Sequence, residues 1–93
     1  MTVSRADRRK EREPRVRAVF ADRNVGPALD LLELLERAWH DSYGDISPPE
    51  DIIDDLLLLS DGSMDKLASA AKLAVTDWRD VKMAASAARG TDA

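Results

Sequence analysis

The only histidine of the chain, His40, lies one helical turn after Glu36. Side chains four positions apart share one side of a helix, so metal binding or general-base chemistry would begin from such a pair. A metal site needs further ligands, however, and the nearest acids, Glu33 and Asp41, point elsewhere around the same helix. The spacing therefore favours a solvated surface histidine over a ligand or a catalytic base.

A second group of reactive side chains is the acidic stretch SPPEDIIDDLLLLSDGS, which begins at Ser47. Its carboxylates are the oxygen ligands that hard cations bind, but the spacing of a calcium-binding loop is missing. Ser47 followed by Glu50 predicts a capping box, and Glu50 and Asp51 lie at the positive end of the helix dipole. Asp51, Asp54 and Asp55 are our candidates for contact with a basic partner.

Several classes of function lack the residues that they need. The chain has no cysteine, which removes disulfides, thiolate metal sites and thiol catalysis. It also lacks a phosphate-binding glycine loop, a nucleophile elbow and a dinucleotide fingerprint. We therefore predict a protein without enzymatic activity, cofactor or metal.

The chain also lacks signals for a membrane or for secretion. Its longest run of large aliphatic residues, 56–59, is far short of a membrane span, and the N-terminus has no apolar core like that of a signal peptide. These features predict a cytoplasmic protein that does not bind membranes.

The net charge of −4 is divided unevenly along the chain. Residues 1–23 carry eight basic and four acidic side chains, which gives +4, and residues 24–93 carry the other six and fourteen, which gives −8. The chain thus reads as a basic arm on an acidic body. Residues 1–13 contain few apolar groups and are predicted to be flexible. Val16, Val19 and Phe20 recur at helical spacing, so residues 14–23 are a candidate short docking helix.

Three longer helices are predicted to position the charged side chains of the body, residues 24–90. The first begins near Asn24 or Gly26 and ends before Gly44, and the second runs from the Ser47 capping box to Gly62. The third follows Ser63 and reaches Gly90. Its apolar residues repeat at alternating spacings of four and three, with Trp78 as the bulky anchor. This seam comprises Leu67, Ala71, Ala74, Trp78, Val81, Ala85 and Ala88.

Short connections make consecutive helices antiparallel neighbours, so the predicted fold is an all-α, antiparallel three-helix bundle. Residues 14–23 are the candidate fourth helix, and residues 91–93 are a tail. The third helix is too long for its neighbours to cover, and Leu58, Leu73 and Met83 fall outside the apolar stripes. Either the N-terminal segment completes the core there, or a second protein contacts these side chains.

The resulting hypothesis is a small non-enzymatic helical protein that works through protein–protein contacts, as a homodimer or as an adaptor with an acidic surface. Its candidate contact residues are Asp51, Asp54, Asp55, Leu58, Leu73 and Met83. The alternative is nucleic-acid association through the basic arm. The turn LSDGSM resembles a helix-turn-helix connection, but the helices around it are acidic or nearly neutral, so we expect the body to repel phosphates.

Overall fold

The computed structural model describes residues 4–90, which form five α-helices joined by short connections. The helices are α1 (Arg5–Arg17), α2 (Asp22–Tyr43), α3 (Glu50–Ser60), α4 (Met64–Thr76) and α5 (Trp78–Ala88). No β-strand occurs among the described residues, so the prediction of an all-α fold is confirmed. The predicted tail, residues 91–93, lies outside the described residues.

The prediction of a three-helix bundle is wrong in the number of helices. Two features that the periodicity does not reveal account for the difference. A full helix forms at the N-terminus, and the predicted third helix is two helices, α4 and α5. The result is a compact all-α globule in which α1 packs on α2, and α3 packs on both α4 and α5.

Helix α1 lies where we predicted a flexible arm followed by a short helix over residues 14–23. Ser4 caps its start, because the side-chain oxygen accepts the backbone N–H of Asp7 at 3.1 Å. Val16 and Phe20, at and just beyond its end, are buried in the core. Counting apolar residues does not predict this helix, because charged side chains supply much of its contact with the body.

Helix α2 is the longest helix and contributes the bulkiest core residue. It starts at Asp22, earlier than the predicted cap at Asn24 or Gly26. At its other end Gly44 adopts the left-handed conformation, with φ of 80°, as the sequence predicted. Trp39 is buried, and its ring centroid lies 4.4 Å from that of Tyr43.

The sequence predicted the end of α3 correctly but not the way in which its start is capped. Pro49 is the N-cap and no side chain caps this end, so the predicted Ser47–Glu50 capping box does not form. At the end, Gly62 has a φ of 79°, which suits glycine. A Cβ at Gly62 would lie 2.9 Å from the carbonyl oxygen of Val19, so this turn also packs closely on the end of the α1 segment.

The break between α4 and α5 lies at Asp77, whose backbone is extended with φ of −158° and ψ of 100°. The Asp77 carboxylate accepts the backbone N–H of Arg79 at 3.0 Å and so caps α5. Because of this break, α5 folds back against α3 and α4 instead of extending past them. Trp78, predicted as the main anchor, is only partly buried at the start of α5.

The apolar core contains residues from all five helices, but none from the first turns of α1. Tyr43 ties α2 to α4 by donating its hydroxyl to the carbonyl oxygen of Ala74 at 2.8 Å. Within residues 4–90, no helix is both long enough and apolar enough to cross a membrane. The largest buried apolar side chains include Val16, Leu32, Trp39, Ile52, Ile53, Leu56, Leu67 and Val81.

Candidate functional site

A buried ion network joins α1 to α2 and α3. Its centre is Arg12, only 1% exposed, whose guanidinium donates to Glu36 at 2.8 Å, Ser47 at 2.8 Å and Glu50 at 2.9 Å. Glu36 is 3% exposed and also accepts two hydrogen bonds from Arg8, at 2.6 and 3.0 Å. Charges this deeply buried persist only when they are paired and hydrogen-bonded. Ser47, expected as a helix cap, instead belongs to this network.

The arginines change the acidity of both glutamates. Burial is the largest single influence on Glu36 and raises its pKa, but the hydrogen bonds from Arg8 and Arg12 together outweigh it. The pKa of Glu36 therefore lies below its ordinary value of 4.5. Glu50 behaves likewise, because hydrogen bonds from Arg12 and Arg15 overcome burial and lower its pKa. Both groups are held as carboxylates, which suits ion pairing and not proton transfer.

Three further arginines of α1 also face acids. Arg9 contacts Asp30 at 2.8 Å and Glu33 at 3.2 Å on α2, and Arg15 contacts Glu50 and Asp54 on α3. Arg17 contacts Glu13 within α1 at 3.1 Å. The basic arm and the acidic body are thus partners within one chain.

The three acids predicted as partner contacts all have cations of the chain beside them. Asp51 accepts from Lys82 at 2.6 Å, and that hydrogen bond is the largest influence lowering the pKa of Asp51. Asp54 contacts Arg15 at 2.6 Å. Asp55 is buried, and contacts Arg89 at 2.7 Å and Lys82 at 3.6 Å. These acids stabilise contacts of α3 with α1 and α5, and whether they also bind a partner stays a prediction.

The three hydrophobic residues predicted as partner contacts lie on three different helices. Leu58 on α3 is partly exposed, and Met83 on α5 is 71% exposed. Leu73 on α4 packs partly against the core. Whether any of them contacts a partner stays a prediction.

His40 lies beside a depression on the outer side of α1 and α2. Its side chain is 63% exposed, and its Nδ1 lies 4.0 Å from Asp41 Oδ1. The depression, about 410 Å³ in volume, is lined by Arg5, Arg8, Glu36, Arg37, His40, Asp41 and Ile46. The described residues contain no group of three acids, histidines or cysteines placed to hold a metal ion. The depression is open and charged, and Glu36 on its floor is already neutralised by arginines.

An apolar groove between α2 and α4 is the surface that sequence periodicity did not single out. Leu34 stands at its edge, 59% exposed. The adjoining hollow, about 190 Å³ in volume, has small side chains and a single charged residue, Lys72, on its lining. The groove is lined by Leu31, Leu34, Leu35, Ala38, Ala68, Ala71, Lys72 and Val75.

Leu34 did not stand out in the sequence. On the helical wheel of α2, Leu29 and Leu34 both lie at the margins of the apolar face, but only Leu29 is buried. Leu34 is exposed because α4 packs beside it and does not cover it. The sequence did not predict the buried position of Arg12, since nothing local distinguishes it from the other arginines of α1.

Comparison with protein-family models, with curated proteins and with solved structures finds no match for the chain.

Proposed function

We propose that this protein is a small non-enzymatic helical module that acts through protein–protein contacts, and that the α2/α4 groove is its contact surface. The observation that carries the proposal is the exposed Leu34 at the edge of a hollow whose lining is aliphatic except for Lys72. Exposed leucines are common when isolated, but a leucine bordering a concave apolar surface is the arrangement in which helices pack together.

The first partner that this surface fits is a second copy of the chain. In a two-fold dimer each protomer uses the same patch, so the patch must complement itself. The groove meets that requirement because an exposed side chain, Leu34, borders a hollow whose lining includes the small residues Ala38, Ala68 and Ala71. Under a two-fold axis, each Leu34 enters the hollow of the other protomer. The adaptor version of the proposal has the same surface accept an apolar helix of another protein.

The distribution of ionisable groups supports contact over catalysis. Acid–base catalysis uses groups in a cleft with pKa values tuned toward neutrality. Here the pKa values of Glu36 and Glu50 are shifted away from neutrality by arginines, and His40 is exposed at an open depression. Glu36 and Glu50, whose pKa values the arginines lower, are used to attach α1.

The alternative, nucleic-acid association through the basic arm, receives no supporting observation. Arg8, Arg9, Arg12, Arg15 and Arg17 each contact a carboxylate of the chain. A phosphate would have to compete with those contacts and with the acidic body.

Light scattering coupled to size exclusion tests the proposal. We expect the full chain to be dimeric at about 100 μM, and Leu34→Glu to be monomeric because a charge would be buried at the centre of the contact. The matched control is Ile46→Glu, since Ile46 is 64% exposed and lies outside the groove. A wild-type monomer at that concentration would exclude the homodimer. Equal dissociation by both variants would exclude the groove as its interface.

A further inference from the structure

Three of the chain's four aromatic side chains line one pocket. It lies where the end of α2, the connection of residues 44–49, the first turn of α3 and the start of α5 meet, and its volume is about 260 Å³. The pocket is separate from the α2/α4 groove and shares no lining residue with it. Its lining comprises Trp39, Tyr43, Asp45, Pro49, Asp51, Ile52, Trp78 and Lys82.

The aromatic wall is held by packing and by one hydrogen bond. Trp39 is buried, and its ring is inclined at 53° to that of Tyr43. The hydroxyl of Tyr43 is fixed on the carbonyl of Ala74, which leaves the ring and not the hydroxyl for a ligand. Trp78 is half-buried at the start of α5 and supplies a second indole. Rings held in this way line the pocket without further ordering.

The charges on the lining favour a positively charged ligand. The lining contains two carboxylates, Asp45 and Asp51, and one cation, Lys82. Lys82 lies 2.6 Å from Asp51 and 3.6 Å from Asp55, so its charge is already shared between two acids. The side chain of Asp45 makes no hydrogen bond or ion pair with any described residue. A carboxylate without a partner next to aromatic faces attracts a cation by both ion pairing and cation–π interaction.

One ring of this lining, that of Trp78, already has an arginine beside it. The guanidinium carbon of Arg79 lies 5.6 Å from the centroid of a Trp78 ring, within the range of a cation–π contact. Arg79 is not part of the pocket lining, so the pocket itself is left for another group. Its volume is below the ~300 Å³ at which small-molecule sites begin, which suits a single side chain.

We propose that this pocket binds an arginine side chain presented by a partner protein. The planar guanidinium lies against the rings of Tyr43 and Trp78 and donates to the carboxylate of Asp45, which is unpaired among residues 4–90. Arginine fits better than lysine because its flat, weakly hydrated head group stacks on aromatic rings while it pairs with a carboxylate. The proposal is independent of self-association through the α2/α4 groove, because no residue is common to the two surfaces.

Nitrogen–proton correlation spectra of the full chain test the proposal directly. Both tryptophans line the pocket, so the two indole N–H signals report on it without further labelling. The probe is N-acetyl-arginine methylamide, and the matched control ligand is N-acetyl-citrulline methylamide, which has nearly the same shape but no charge. We expect the arginine probe to shift at least one indole signal with saturation, and the citrulline probe to bind about tenfold more weakly.

Substitutions complete the test. Asp45→Asn is expected to weaken the arginine probe about tenfold, while Asp41→Asn, an exposed acid outside the pocket, leaves its affinity unchanged. Spectra of both variants that otherwise match the wild type establish that the fold is retained. No saturable shift up to about 10 mM probe, equal binding of arginine and citrulline, or indifference to Asp45→Asn would each overturn the proposal. Because Leu34→Glu does not touch the pocket, these results are separate from the outcome for self-association.

Discussion

Arg12 illustrates how a single residue decides the place of a whole helix. It carries a formal charge into a position that is 1% exposed, and it is compensated there by Glu36, Ser47 and Glu50. Its Nε, however, is buried without a hydrogen-bond partner among the described residues. A buried network of this kind specifies one docking geometry for α1, because any other geometry leaves charges unpaired.

Replacing Arg12 tests the energetic weight of this network. We expect Arg12→Met to lower the free energy of unfolding by about 3 kcal/mol, the low end for breaking a buried ion pair, because Arg8 still compensates Glu36. Arg9→Met is the matched control, since Arg9 pairs with the more exposed acids Asp30 and Glu33, and we expect a loss below ~1 kcal/mol. Urea unfolding measures both. Equal losses would show that burial of Arg12 adds nothing to its contribution.

The lowered pKa of Glu36 predicts how stability depends on pH. A group whose pKa is lower in the folded chain stabilises it fully above its ordinary pKa, here 4.5, and loses that contribution as the pH falls further. We expect the urea midpoint to be level from pH 7 to about 5.5 and to fall below about pH 4.5. Glu36→Gln should be less stable at pH 7 and show a shallower fall, whereas Glu11→Gln, at an exposed position, should follow the wild type.

At the scale of elements, the sequence predicted well what depends on neighbouring residues. Gly44, Gly62 and Ser63 stand at helix ends where local rules place them. Most of the seam predicted for one long helix is buried, although the helix is divided. A break at a polar residue leaves the apolar repeat on either side intact, so periodicity cannot reveal it. Most of helix α1 escaped prediction because its partners are distant in sequence, and the short helix predicted over residues 14–23 overlaps only its last turn.

The division between α4 and α5 rests on Asp77, and its cap can be tested. Asp77→Ala removes the carboxylate that accepts the Arg79 N–H, so we expect a loss of about 1 kcal/mol. Asp77→Asn keeps an oxygen acceptor and should retain most of the stability. Thermal unfolding followed by circular dichroism distinguishes the two. If Asp77→Ala were more stable than the wild type and more helical, residue 77 would join α4 and α5 into the continuous helix that the sequence predicted.

On the scale of the whole molecule, the chain uses its uneven charge to fold. The +4 N-terminal segment and the −8 remainder are joined through α1, whose arginines contact acids of α2 and α3. The two surfaces that we propose for partners, the apolar α2/α4 groove and the aromatic pocket, both lie away from α1. The net charge had suggested an acidic contact surface instead. Net charge does not show which acids are already paired with basic side chains of the same chain.

The same internal pairing predicts how the chain behaves toward nucleic acid. A peptide of residues 1–23 has unpaired arginines, so we expect it to bind duplex DNA at about 50 mM salt and to release it as salt rises. The full chain carries the same arginines, but four of them, Arg8, Arg9, Arg12 and Arg15, contact carboxylates outside residues 1–23, and the body adds a charge of −8. We expect no binding by the full chain under the same conditions, measured by fluorescence anisotropy of labelled DNA. Binding by the full chain with a salt dependence like that of the peptide would show that α1 leaves the body to reach phosphates, and would restore nucleic-acid association as its function.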